Sequence, residues 1–274
     1  MHQRVTVPAR INIIGEHTDY AGGLALSFAS KPRLKLTITR LERGYDGDAV
    51  VVKLWQAVGG YPAKLVVDSD IPIGTGMSSS AALCVAIVVG YNPGLDNLTI
   101  CQKAQQLEHQ ILGTKCGLLD QTAIAFAKKN HAALIDFSSY SVKHIPIPEG
   151  WKFKLVYSGI PRKLAEINYQ SNTDYLEQHV RLENYRVMQA IDATPEELGR
   201  LLNESHESLK KLGVSVPEVD RLVAELQATD GVLGARMMGG GYGGMVLALV
   251  TSEEVLPEAI SVSSSKSFEF EEFS

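Results

Sequence analysis

Three stretches of this 274-residue chain carry side chains that could do chemistry. The densest is Ile71-Pro72-Ile73-Gly74-Thr75-Gly76-Met77-Ser78-Ser79-Ser80-Ala81-Ala82. A strand-like approach, Leu65 to Asp70, enters it, and an apolar run from Ala81 to Val89 leaves it. A Gly- and Ser-rich bend before a helix leaves backbone N–H groups free at the first turn. With the helix dipole, these attract anions, phosphate above all. Glycine lets backbone come close to a ligand. Serine can cap the helix, donate to phosphate or present a hydroxyl to Mg²⁺. An ordinary Ser-capped helix after a glycine turn would read the same way.

The second stretch is Gly15-Glu16-His17-Thr18-Asp19-Tyr20-Ala21-Gly22-Gly23. Glu16, His17 and Asp19 offer several donors and acceptors for sugar hydroxyls, although a loop this polar is also an ordinary solvated one. The third feature is a pair of carboxylates. Cys101, Ala104, Glu108 and Ile111 fall at helical spacings of three and four, so Glu108 sits on an apolar stripe. A carboxylate there needs a partner, because burying a lone charge is unfavourable. A metal would serve, and so would an Arg or Lys from elsewhere. Asp120, in Cys116-Gly117-Leu118-Leu119-Asp120-Gln121, is either a first-turn carboxylate favoured by the helix dipole or a base at the mouth of a site.

These residues need elements to hold them. Val5 to Val7 and Ile11 to Ile14 read as short strands around Pro8-Ala9-Arg10. Leu34 to Thr39 alternates like a half-buried strand, and Ala49 to Leu54 reads as another. A helix is expected from about Leu98, capped by Asp96 or Asn97, to Leu112, with Gly113 as its stop. A further helix should run from the Asp120 segment through Ala127, followed by a strand from Ala132 to Asp136. Pro146-Ile147-Pro148-Glu149-Gly150 reads as a linker and sets the expected domain boundary, giving domains 1–148 and 149–274.

Beyond it, a strand over Phe153 to Tyr157 and a helix over much of Thr173 to Ile191 are expected. Thr194-Pro195-Glu196-Glu197 is a capping box with Pro at the first helical position, and its helix should reach Leu212. Ser215-Val216-Pro217-Glu218 repeats that device, for a helix ending near Asp230-Gly231. Gly239-Gly240-Gly241-Tyr242-Gly243-Gly244 fits G-x-G-x-x-G, but a strand-like run, Met245 to Val250, follows it. A dinucleotide fingerprint opens a helix, so a tight glycine hairpin near a ligand or another loop is the better reading. Lys266 to Phe273 alternates and suits a closing strand.

Composition excludes several classes. The net charge of −5, without basic runs, argues against nucleic acid and acidic membranes. No apolar run is long enough to span a bilayer, and the N-terminus lacks a signal-like apolar region. Cys84, Cys101 and Cys116 form no C-x-x-C, which suits a reducing cytoplasm.

Taken in order, the glycine-containing stretches resemble the GHMP kinase family and, within it, the galactokinases. Pro8 to Tyr20 is similar to the galactokinase signature. Ile71 to Ala82 is similar to the phosphate motif P-x-G-x-G-[LM]-S-S-S-A, and Gly234 to Gly244 to the third family motif. Cys116 to Gln121 and Ser158-Gly159-Ile160-Pro161-Arg162-Lys163-Leu164 match further segments.

The resemblance implies an α/β (α+β) fold of two domains with the active site in the cleft between them. It implies ATP-dependent phosphorylation of a sugar at its anomeric hydroxyl, galactose first. N-acetylgalactosamine, galacturonate and arabinose kinases are relatives to weigh, as is a non-catalytic regulator that binds sugar and ATP. No G-x-x-x-x-G-K-[ST] is present, so the phosphates would lie on Gly74, Thr75, Gly76, Met77, Ser78, Ser79 and Ser80. By motif, Asp120 is the base and Arg10 polarises the hydroxyl. Ser80 (or Ser79) and Glu108 hold Mg²⁺. Glu16, His17, Thr18 and Asp19 bind the sugar, and Tyr169 covers it. The implied partners are small-molecule sugar and ATP, with a monomer or weak homodimer expected. Segments around 44–60 and 169–179, and the tail after 250, look compressed for the family.

Overall fold

The computed structural model describes residues 2–72, 76–161 and 173–273. Gly74, Thr75 and Tyr169 lie outside the described residues. The chain opens with two long antiparallel strands, β1 (His2–Ile14) and β2 (Leu24–Arg40). The two short strands expected around Pro8 are thus one. Pro8 sits beyond the last β1 residue paired on its other side, Thr6, so its missing N–H breaks no ladder there. The register shifts between Pro8 and Arg10 and again between Asn12 and Ile14. Such bulges bend a strand and re-aim its side chains, here Arg10 and the entry to residues 15–23.

β3 (Tyr45–Asp46) is followed by α1 (Ala49–Ala57). A strand was expected over Ala49 to Leu54, and the structure overturns this. The Asp48 carboxylate accepts from the Val50 and Val51 N–H groups and starts a helix, and Val51, Leu54 and Trp55 bury at helical spacing. Capping and tertiary burial here outweigh the strand preference of three consecutive valines. β4 (Ala63–Ser69) then leads to the phosphate-motif region and α2 (Ser79–Tyr91). α2 is buried from Ala81 to Gly90 on nearly every side, so it is the central helix of its half.

α3 (Asn97–Leu107) is capped by Asp96, whose carboxylate accepts from Thr99 N. The single helix expected to Leu112 instead changes winding. Glu108–Leu112 forms a π-helical turn closed by Gly113 at φ 71°. Insertions of this kind recur at functional sites because they swing one residue out of the regular stripe. α4 (Leu119–Ala125), shorter than expected, precedes the hairpin of β5 (His131–Asp136) and β6 (Ser141–Pro146).

The second half contains β7 (Lys152–Tyr157), α5 (Thr173–Ala190), α6 (Pro195–Leu212) and α7 (Pro217–Gln227). β8 (Val232–Met237), β9 (Met245–Val250), β10 (Ile260–Val262) and β11 (Glu269–Phe273) follow. The Thr194 capping box forms as expected. The second start does not repeat it. Val216 occupies the cap position of α7, and the Ser215 hydroxyl donates to Asp220 instead.

Among the described residues, seven strands form one sheet, ordered β11-β1-β2-β4-β3 with β5 and β6 continuing from the start of β2. Four strands form the other, ordered β10-β7-β9-β8. The glycine run 239–244 is the turn of the β8–β9 hairpin, and the closing strand pairs with β1. The largest apolar core is continuous between the sheets: Phe28 of β2 lies 5.9 Å from Phe153 of β7. Arg236 of β8, fully buried, donates to the carbonyls of Asn12 (2.6 Å) and Ile13 (2.7 Å) of β1. No helix of the described residues is long and apolar enough to cross a membrane.

Candidate active site

The N-terminus of α2 opens onto a cavity between the two sheets. Ser79 and Ser80 begin the helix, and both line the cavity with Gly76 and Ser78. First-turn N–H groups without helical partners point there, as an anion site requires. Ser78 precedes the helix at φ 65°, ψ 38°, a left-handed conformation unusual for a residue with a Cβ. Its hydroxyl makes no cap bond. It donates instead to Asp120 Oδ2 at 2.6 Å. Met77 is buried and does not line the cavity.

Asp120 is the second residue of α4. Arg10 grips it from β1, with Nε 2.8 Å and Nη2 2.6 Å from Oδ1. The same guanidinium donates through Nη1 to the Gly76 carbonyl at 2.5 Å. One buried cation therefore fixes the carboxylate and the phosphate-motif backbone relative to each other. Charge-assisted bonds of this kind are strong and directional.

Glu108 sits one layer back, behind Ser80 and Cys116. It is 2% exposed. Gln121 Nε2 donates to its Oε2, Cys116 Sγ lies 3.6 Å from the same oxygen, and the Ser80 hydroxyl bonds to the carboxylate. These partners are neutral. Burial, with Asp120 nearby, pushes the Glu108 carboxyl up to about 7, although its hydrogen bonds pull the other way. Among the described residues, the partner its helix stripe demanded is thus not an Arg or Lys at hydrogen-bond range.

Across the cavity lie Glu16, His17, Asp19 and Tyr20. Gly15 enters this loop at φ 102°, and a Cβ there would meet Leu24 O and Ala25, so the tight turn needs glycine. Burial works to raise the Glu16 pKa. The positive charges of Arg236 and Arg10 and the Gly239 N–H, 2.5 Å away, outweigh it and hold the group low. Glu16 is therefore anionic, and it ties the glycine hairpin to the opening strand. Burial lifts Asp19 to about 6, although Leu119 N–H donates to it at 2.9 Å. A Cβ on Gly117 would collide with the Asp19 carboxylate, so this approach also requires glycine. His17 Nδ1 is 3.1 Å from the Tyr20 hydroxyl. Thr18 does not reach the cavity. Its hydroxyl donates to the Gly15 and Leu24 carbonyls, each at 2.9 Å, and shapes the loop from inside.

Residues 3–34 match the model of the galactokinase galactose-binding signature. Residues 47–128 match the GHMP kinases N-terminal domain, and 187–263 the GHMP kinases C-terminal domain. The chain is 34% identical to a galactokinase of Thermotoga neapolitana over 310 aligned positions, covering 90% of this chain and 89% of that protein. The chain belongs to the GHMP kinase family, in its galactokinase branch. A galactokinase of Chloroflexus aggregans is 33% identical, covering 90% of this chain and 84% of that one. The fold agrees. Lactococcus lactis galactokinase complexed with galactose superposes with a TM-score of 0.84 at 23% identity, covering 98% and 95% of the two chains. Methanococcus jannaschii mevalonate kinase gives 0.74 at 22%, covering 97% and 99%. The 310 aligned positions exceed the 274 residues of this chain, so the Thermotoga galactokinase carries segments within the aligned span that are shorter here.

The galactokinase motifs thus converge in space as well as in order. Arg10, Glu16, His17, Asp19, Gly76, Ser78, Ser79, Ser80 and Asp120 line one cavity. Sequence reasoning gave no role to Gln121, Cys116, Tyr20 or Arg236. Gln121 and Cys116 were visible as polar neighbours of Asp120 in one motif. Arg236 was visible as a lone charge inside an apolar strand.

Proposed function

We propose that this chain phosphorylates α-D-galactose on its anomeric C1 hydroxyl, using ATP and yielding galactose 1-phosphate and ADP, a step of galactose metabolism. The observation that carries the reading is Asp120, held by Arg10 and Ser78 between the α2 N-terminus and the Glu16–Asp19 loop. Phosphoryl transfer asks a protein chiefly for positioning and charge stabilisation. The first turn of α2, with Ser79 and Ser80, receives the ATP phosphates. Glu16, His17 and Asp19 hydrogen-bond the sugar hydroxyls.

Asp120 accepts the C1 hydroxyl proton. Each of its oxygens has two lone-pair sites, so Oδ2 can take that proton while Ser78 still donates to it. Arg10 polarises the attacking hydroxyl and steadies charge on the phosphoryl group, while its bonds keep Asp120 aimed.

The residues present fit Mg²⁺ at Ser80 and Glu108. Their oxygens are hydrogen-bonded beside the phosphate site, and a carboxylate raised to about 7 is one that a cation would return to its charged form. The buried Gln121 Oε1, without a hydrogen-bond partner among the described residues, can accept from a water on such an ion. Bound there by Ser80 and Glu108, Mg²⁺ would supply positive charge to offset that of the ATP phosphates. We place the reaction in the cytoplasm, consistent with three free cysteines. We take the protein as a monomer or weak homodimer that uses neither nucleic acid nor a membrane.

A phosphorylation assay across galactose, N-acetylgalactosamine, galacturonate and arabinose tests the reading. Turnover should be highest with galactose. Sugar and ATP binding without turnover on any of the four would refute the enzymatic reading. Asp120→Asn should keep the fold and galactose binding while lowering turnover by roughly 10²-fold or more, the scale of a lost general base. A near-wild-type rate would remove Asp120 from that role.

A further inference from the structure

Helix α5 lies behind the Glu16–Asp19 loop, and three of its side chains hold that loop by its backbone. His179 is fully buried, with Nε2 2.9 Å from the Glu16 carbonyl. That carbonyl can only accept, so Nε2 carries the proton and Nδ1 accepts from the Ser208 hydroxyl of α6 at 2.8 Å. One turn on, Glu183 is also fully buried. Its Oε1 accepts from the Gly15 N–H at 3.1 Å and from the Ser205 hydroxyl of α6 at 2.5 Å, and Arg186 pairs with Oε2 at 2.8 Å. Asn184 Oδ1 accepts from the Leu24 N–H at 2.7 Å, at the far end of the loop.

His179, Glu183 and Asn184 stand at i, i+4 and i+5, one face of the helix. The bonds fall at residues 15, 16 and 24. The loop is therefore pinned where it leaves β1 and where it enters β2, and Glu16, His17, Asp19 and Tyr20 between the pins line the cavity. None of the three α5 residues lines the cavity itself.

We infer that α5 is the positioning element of the sugar loop, with His179, Glu183 and Asn184 as positioning residues that set sugar affinity without touching sugar. This rests on residues 16–19 being the sugar-binding loop. The α2 N-terminus is not bonded by these side chains, so the nucleotide site stands outside their reach. Helices α5 and α6 form one unit in this arrangement. Ser205 and Ser208 of α6 back the two buried α5 groups, so a change in how the two helices pack is transmitted to the loop at Gly15 and Glu16.

The test uses the full chain with Asn184→Ala and His179→Phe, each measured for galactose affinity, nucleotide affinity and amide hydrogen exchange. Asn184 is only half-buried, so its variant folds if the buried histidine variant does not. Each variant should weaken galactose binding about three- to tenfold, the range of one hydrogen bond. ATP-analogue binding should change less than about twofold on the same scale. Exchange at Gly15 and Leu24 should quicken while that of Ser79 and Ser80 does not. Asn184→Asp, which keeps the acceptor, should restore galactose affinity. Unchanged galactose affinity, or galactose and nucleotide affinities falling together, would overturn the inference and leave α5 as packing alone. If the wild-type chain binds no galactose, the proposed function fails, and the exchange at Gly15 and Leu24 still decides whether α5 pins the loop.

Discussion

At the scale of single residues, the site depends on carboxylates held in different charge states by their surroundings. Glu16 is kept anionic by Arg236 and Arg10, whereas Glu108 is raised to about 7 and Asp19 to about 6, both mainly by burial. A carboxyl with a raised folded pKa binds its proton more tightly in the native state than in the unfolded one. Stability then falls as pH climbs from the ordinary value of 4.5 to about 7 for Glu108, and the loss persists above that window. Glu108→Gln removes the charge and keeps the shape. The metal-free variant should melt above wild type at pH 8 and alongside it at pH 5, read by calorimetry. A lower melting temperature at pH 8 would contradict the burial argument. The same variant should need more Mg²⁺ for half-maximal turnover, and an unchanged Mg²⁺ dependence would remove Glu108 as a ligand.

The residues proposed to do the chemistry were legible because each lies in a contiguous motif: Arg10, Glu16, Asp19, Ser80 and Asp120. Their pairings were not. Ser78 meets Asp120 across 42 positions, and Glu183 meets Gly15 across 168. A single sequence carries no signal linking such distant positions, because the link is made by the fold. Gly117 illustrates the point. Its place beside Asp120 was plain, but its need to lack a side chain follows only from Asp19 lying against it. Gly117→Ala should displace Asp19 and raise the galactose KM, leaving the ATP KM near wild type. Equal changes in both constants would argue for general damage instead.

At the scale of elements, strong local signals survived and weak ones were overruled. The Thr194 capping box and the Gly113 stop are local chemistry, and both formed. Ala49 to Leu54 reads as a strand by residue type, but Asp48 at the cap and a buried face of Val51, Leu54 and Trp55 make it a helix. Asp48→Ala should lower stability by about 1 kcal/mol, the usual worth of such a cap, and leave galactose and ATP affinities unchanged. Urea titration beside binding isotherms would show this, and a change in either affinity would tie α1 to the site. The π-helical turn at Glu108 was illegible because helical periodicity assumes one winding. Its apolar stripe runs unbroken through Ile111 in sequence, yet the structure widens the turn at the residue that faces Ser80.

At the scale of the whole molecule, the two sheets share one apolar core. The chain crosses between them after β6, and β11 returns to pair with β1. Phe270 of β11 packs against the main core. Phe270→Asp should lower the urea midpoint of the entire chain in a single transition, because it loosens the sheet edge next to β1. Two separated transitions would show that the sheets unfold independently.

β1 gathers several duties along thirteen residues. It pairs with β11 and β2, sends Arg10 to Asp120, receives Arg236 at Asn12 and Ile13, and runs directly into the loop proposed to bind sugar. A machine whose drive shaft is also its frame has no idle state. Partial opening of this sheet should therefore abolish activity, and inactivation and unfolding should trace a single curve in urea.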